Sequence, residues 1–280
     1  MGDVIFDNRR FSDFGVIVSG ENTWAQPTRR VTKAQVPGKN GDLIVEAGEF
    51  NNVEISYPAG IMHDFDSDEP GGWETFSDFL LSRSDAYYRL EDEYHPLYYR
   101  MARFVPGIAP KVGTLNRSGQ FSVAFDCKPQ KYLLSGGDEY VITEAYTPLR
   151  LENPTRYRAY PEIELVPYVT LDFEVHDSGG DLRTDGTEAV TLEIDDSDIP
   201  SGARDVKFTY YTEQREVVME YFISGVTLRK YVTDKLVVGT IGTNGLSFPG
   251  GNTYAIITLG TSDESPSDVT TKIKPRWYTI

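Results

Sequence analysis

Short runs of β-branched and aromatic residues recur along the chain, separated by turns rich in Gly, Pro and Asn. They predict strands at Val4 to Phe6, Ile44 to Glu46, Val53 to Tyr57, Phe121 to Phe125, Glu162 to Val166, Thr170 to Val175, Val190 to Ile194, Lys207 to Tyr211, Tyr254 to Leu259 and Thr271 to Trp277. Within Thr170 to Val175, Leu171, Phe173 and Val175 fall on one face and Asp172 and Glu174 on the other. That period of two belongs to antiparallel sheet with one face on a core and one in water. Turn signals lie at 37–41, 178–180, 243–245 and 249–252. Long helices do not alternate with the strands, which argues against a doubly wound α/β fold. One helix is predicted over Gly72 to Ser82, where Trp73, Phe76, Phe79 and Leu80 share a helical face and Glu74, Ser77, Asp78 and Ser82 lie elsewhere. It is expected to pack across a sheet. The stretch Glu213 to Phe222 fits a helical stripe or a strand, and its β-branched and aromatic residues favour strand.

At 280 residues the chain exceeds the size at which one core usually stops growing, so two mostly β domains are expected. Pro129, Gly136, Gly137 and Pro148 punctuate the join, placing the domains at 1–135 and 136–280. Lys and Arg number 27 against 43 Asp and Glu, a formal charge of −16. This balance excludes sequence-independent grip on DNA or on an anionic membrane, which needs clustered basic residues. With 39% hydrophobic and 12% aromatic residues, there is enough apolar surface to offset the entropy of ordering. A lone Cys127 can form neither an internal disulfide nor a cysteine zinc site. The first ten residues lack the apolar core of a signal peptide, and no apolar run reaches spanning length, so synthesis in the cytoplasm without membrane insertion is expected. Without an export signal, the sequon at Asn116 reads as unmodified.

Candidate chemistry is sparse. His63, His95 and His176 are far apart in sequence and read as ordinary turn or surface histidines. The acidic run from Asp64 begins like a calcium loop, but Glu69 stands where the sharp turn needs Gly and Thr75 where bidentate ligation needs Glu. Asp195 to Asp198 reads as a solvated turn. Nucleophile-elbow, phosphate-loop and dinucleotide motifs are absent, and Gly239 to Gly245 has loose glycine spacing without a following helix. Paired carboxylates for glycoside hydrolysis are marked only by their separation in space. No catalytic residue, metal or cofactor is assigned, and no enzymatic activity is expected.

Several segments together resemble the distal tail protein, or Dit, family of phages with long non-contractile tails. In the first half they are Phe11 to Val18, Val36 to Leu43, Phe50 to Tyr57, the helix around Trp73 to Leu81, Tyr87 to Leu90, Glu93 to Ala102 and Gly119 to Pro129. The second half supplies Leu151 to Thr155, Ala159 to Ile163, Leu192 to Ser197, Phe248 to Tyr254 and Ile273 to Tyr278. The stretch Ser197 to Phe248 departs from the family pattern, being longer and richer in Tyr and charge, and no large carbohydrate-binding insertion is evident.

The resemblance implies a mainly β chain with an N-terminal, tail-tube-like β-sandwich or split barrel carrying one α-helix and a long hairpin. A C-terminal galectin-like β-sandwich would follow. It implies a structural virion protein of the tail tip: a homo-hexameric ring joining the major tail tube protein to the tail-associated hub protein, in some phages carrying receptor-binding proteins, with DNA passing through the lumen. Thr28 to Lys33 and Val53 to Tyr57 flank the turn at 37–41, and the arrangement reads as a long hairpin that adds strands to a neighbouring subunit. Its candidate interface residues are Arg29, Arg30, Val36, Pro37, Gly38, Gly41, Val53, Ile55 and Tyr57. A hairpin folded on its own domain is the plain alternative. An acidic lumen wall would repel a passing duplex rather than hold it. The alternative function is a carbohydrate-binding module assisting adhesion to the host envelope, for which Tyr210 and Tyr211 are candidate contacts. Adjacent strand residues point to opposite faces, so at least one of them is expected in the core. An envelope-degrading enzyme is a third class.

Overall fold

The computed structural model describes residues 2–20, 24–62, 72–113, 117–239, 245–251, 253–261 and 270–280. It is mainly β and divides into two compact units, one of residues 1–132 with 280 and one of residues 133–279. The first contains β1 (Val4–Phe6), β2 (Arg9–Arg10), β3 (Val16–Val18), β4 (Arg29–Gln35), β5 (Asp42–Phe50), β6 (Val53–Met62), α1 (Gly72–Leu81), β7 (Tyr88–Asp92), β8 (Tyr98–Val105), β9 (Lys111–Val112) and β10 (Ser118–Leu133). Its main sheet runs β2-β1-β7-β8-β10-β6-β3, with β9 also on β10.

Alternation decides which face of this sheet is buried. Val53, Ile55, Tyr57 and Ile61 on β6 lie opposite Cys127, Phe125, Val123 and Gly119 on β10, and all eight are buried. Helix α1 lies on the same core. Phe76, Phe79 and Leu80 are buried as their spacing requires, while Trp73 at the start of the helix is half-buried and meets Phe121 with ring centroids 5.2 Å apart. Phe76 packs edge-on against Phe11 at 4.9 Å and close to Phe14 at 5.5 Å. Each such phenyl removed from water stabilises the unit by about 1.5–3 kcal/mol.

The second unit contains β11 (Tyr140–Ile142), β12 (Leu149–Glu152), β13 (Glu162–Leu165), β14 (Val169–His176), β15 (Leu182–Leu192), β16 (Arg204–Tyr211), β17 (Glu216–Ile223), β18 (Val226–Tyr231), β19 (Leu236–Val238), β20 (Tyr254–Thr261), β21 (Thr271–Lys274) and β22 (Tyr278–Thr279). Two antiparallel sheets, β11-β21-β13-β16-β17-β18 and β12-β20-β14-β15-β19, share one core. Leu171, Phe173 and Val175 enter it from β14 while Asp172 and Glu174 face away. The ambiguous stretch at 213–222 is a turn followed by β17, whose Val217 and Met219 are buried. The strand expected to run from Thr271 to Trp277 stops at Lys274, because Pro275 has no N–H to continue a ladder. Trp277 is buried beyond it, with its ring 4.7 Å from Phe248.

Candidate functional site

One element of the first unit has no sheet of its own to rest on. β4 and β5 pair only with each other among the described residues, as a two-stranded ribbon. All seven residues of β4 are exposed, and on β5 Leu43, Ile44 and Val45 are each more than half exposed. The register places Thr32 opposite Val45 and Ala34 opposite Leu43, so these four share one uncharged face. Lys33 and Ile44 pair on the other face. At its turn, Lys39 donates its backbone N–H to the Val36 carbonyl at 3.1 Å, and Gly38 and Gly41 take φ of 80° and 84°. A side chain at either position would be strained, which explains the glycines. Val36 is half-buried and Pro37 exposed.

The base of the ribbon is fastened. Asn51 donates to Thr28 through backbone and side chain, at 2.8 and 3.1 Å, and Arg29 lies 4.9 Å over the Phe50 ring. The Asn52 amide donates to the Tyr87 hydroxyl at 2.7 Å and to Asp126 at 3.0 Å, tying the ribbon's exit to β10. Arg30 and Glu49 form an exposed pair at 3.1 Å, an arrangement of little energetic consequence. An isolated two-stranded ribbon is marginally stable in water, and both of its outer edges keep backbone groups open to another strand.

The ribbon's second strand is β5, not Val53 to Tyr57 as the sequence suggested. Val53, Ile55 and Tyr57 belong to β6, where five alternate side chains are buried in the core, and a strand so used cannot also serve in a ribbon exposed on both faces. Tyr57 donates its hydroxyl to Asp92 at 2.7 Å inside the unit. Leu43, Ile44 and Val45 are the apolar residues this ribbon exposes: three consecutive apolar residues cannot all point inward from one strand.

The tyrosine pair is likewise divided. Tyr210 is buried, opposite Ile163 and Val217, which removes it as a sugar platform. Burial pushes its phenol up to about 12. Tyr211 is half-buried on the other face, beside Glu139, Glu162, Glu164, Lys272 and Lys274. These charges are paired, with Lys274 3.0 Å from Glu139, Lys272 3.8 Å from Glu164 and Glu162 3.2 Å from Arg276.

The remaining polar candidates have structural partners. His95 donates through Nδ1 to the Asp92 carboxylate at 2.9 Å and stands 4.4 Å from Trp24, and His176 stacks on Tyr254 at 5.2 Å. In the run at 195–198, Asp198 pairs with Lys235 at 2.9 Å, which holds its carboxyl below the usual range. Cys127 is buried, and desolvation pushes its thiol up to about 12, so it is no nucleophile at neutral pH. No cluster of three His, Cys, Asp or Glu suited to a metal occurs among the described residues. His63, the acidic run 64–70, Asn116 and residues 240–244 lie outside them.

No family model matches the chain, and no curated protein does. Among solved structures, the crystal structure of the Dit protein (gp 19.1) of SPP1, described as a paradigm of the hub adsorption apparatus in phages infecting Gram-positive bacteria, aligns with a TM-score of 0.57. The alignment covers 98% of this chain and 97% of that one at 11% identity, so the chain shares that fold from end to end. A chain of the phage P2 baseplate in its activated conformation, solved with calcium and with strontium, aligns at TM-scores of 0.45 and 0.44 with 10% identity over 94% of this chain and 99% of its own.

Proposed function

We propose that this chain, which has the fold of the SPP1 Dit protein, is a distal tail protein of a siphophage, a structural hub of the virion tail tip. The observation that carries the reading is the exposed β4–β5 ribbon, an element fastened to its own unit at its base and, among the described residues, paired with no sheet beyond it. Six copies close into a ring through one repeated head-to-tail contact, in which the ribbon of each belts the next. The ring joins the major tail tube protein to the tail-associated hub protein. The second unit, a two-sheet sandwich, faces outward and is the place where receptor-binding proteins attach.

DNA crosses the lumen without being held. A formal charge of −16 per copy supports this, since a wall rich in Lys and Arg would retard the duplex. Synthesis is in the host cytoplasm, and no described helix is long and apolar enough to cross a membrane.

Immunogold labelling of virions with antibody against this chain tests the reading. Label is expected at the tail end distal to the capsid. Virions whose tails lack the protein would overturn the assignment.

A further inference from the structure

We propose that a recess in the first unit, walled by Arg100, His95 and Lys131, is a binding site for one small monovalent anion of the size of chloride. The recess draws on four strands and a turn: Tyr57 of β6, Asp92 of β7, His95 in the turn that follows, Arg100 of β8 and Lys131 of β10. Its inner space is about 10 Å³, room for a single ion or water and too little for an organic ligand. Arg100 pairs across the sheet with buried Leu90, and the alternation of β8 sends its side chain inward with that of Leu90.

Arg100 is 9% exposed, and its Nη1 is buried without a hydrogen-bond partner among the described residues. A guanidinium does not give up its proton in a protein, so once buried it needs an acceptor or a negative charge beside it. Burial pulls Arg100 below its ordinary value, and the groups acting against that are Cys127, Tyr57 and Asp92. Two of the three bring no charge at neutral pH, because burial pushes the Cys127 thiol up to about 12 and holds the Tyr57 phenol well above its usual range. Asp92 is already engaged. Its Oδ2 accepts from the Tyr57 hydroxyl at 2.7 Å, and its Oδ1 accepts from the His95 backbone N–H at 2.7 Å and from the ring Nδ1 at 2.9 Å.

Lys131 adds a second cation. It is half-buried, and burial followed by the charge of Arg100 lowers its ammonium, with Asp92 again the acid that opposes the shift. Two cations therefore share one carboxylate, which leaves one positive charge in the recess uncompensated. His95 supplies another buried nitrogen without a partner among the described residues, its Nε2. A monovalent anion completes this set: it accepts from Arg100 Nη1, balances the charge and ties β8 to β10 across the recess. A water would satisfy the hydrogen bond and leave the charge.

The test follows thermal unfolding of the full chain by circular dichroism in sodium chloride and in sodium gluconate at equal ionic strength, gluconate being too large for the recess. Chloride is expected to raise the melting temperature of the wild type by about 3 °C or more. Lys131→Gln, a change at a half-buried position that removes one charge, is expected to lose at least about half of that shift, and Arg100→Gln to lose all of it. Crystals grown in sodium bromide are expected to show an anomalous peak within hydrogen-bond distance of Arg100 Nη1. Equal melting of the wild type in the two salts, or a water at that position in the bromide crystals, overturns the site. A chloride shift that Lys131→Gln keeps in full overturns it too, since the ion then binds elsewhere.

Discussion

Asn153 donates its side-chain amide to the Phe248 carbonyl at 3.2 Å, joining two segments distant in sequence inside the second unit. The same nitrogen donates to Pro249 at 3.1 Å and to Tyr157 at 2.8 Å, while Oδ1 accepts from the Thr155 backbone at 2.9 Å. Phe248 and Ala159 exchange a pair of backbone bonds at 2.8 Å next to it. Gly250 passes so close to the Arg156 carbonyl that no Cβ fits. Replacing Asn153 by Ala removes its bonds to three carbonyls, each of which keeps a second donor in Ala159, Thr253 or Thr155, and a loss of about 1–2 kcal/mol is expected. Urea unfolding followed by the fluorescence of Trp277, buried 4.7 Å from Phe248, measures it. Gly250→Ala is expected to cost a similar amount by displacing the same strap.

Phe76 is the keystone of the helix contact in the first unit, touching Phe11, Phe14 and Phe121. Phe76→Ala leaves a cavity among rings that cannot collapse together, and a loss of about 3–5 kcal/mol is expected. Phe76→Leu retains most of the volume and is expected to cost far less. Denaturation curves with Trp73 as reporter separate the two.

The first unit is expected to lose stability at alkaline pH. Burial pushes the Cys127 thiol from 9.0 to about 12, so above pH 9 the unfolded chain releases a proton that the folded chain keeps. This contribution is fully present below pH 9 and is lost by about 1.4 kcal/mol per pH unit until the pH reaches about 12. Tyr57, held well above its usual value by burial and then by Asp92, adds a loss of the same sign above pH 10. Unfolding free energies of wild type and Cys127→Ala between pH 8 and 10 check the sign. The variant's profile is expected to be flatter, and parallel profiles would contradict the burial argument.

Ribbon and core strand should respond oppositely to substitution. Leu43→Asp is expected to change the stability of the unassembled chain by less than about 0.5 kcal/mol, because Leu43 is 54% exposed. Ile55→Ala, at a buried position, is expected to cost about 2–5 kcal/mol. Hydrogen exchange offers a second reading: amides of β4 and β5 should exchange quickly in the isolated chain and slowly once it is assembled.

Much of the fold was readable because most of its core elements bury one face. The period of two in β14 and the three-and-four spacing in α1 state directly which side chains go inward. The ribbon's second strand was not readable, since Leu43 to Val45 and Val53 to Tyr57 are equally rich in strand formers. What separates them is β10, which pairs with one and not the other from far along the chain. For Tyr210 and Tyr211, alternation says that one is buried; the pairing of Tyr210 with Ile163 and Val217 decides which. Asn153 carried no local signal, because a buried amide is recognised only by the carbonyls around it. β18, exposed at all six residues and containing Arg229 and Lys230, likewise lacks the apolar alternation that marks a strand.

Electron microscopy of the purified chain mixed with the tube and hub proteins proposed to flank it tests the central claim most directly. Closed six-fold rings about the width of a tail tube are the predicted result. Monomers that persist in the presence of both partners would contradict it.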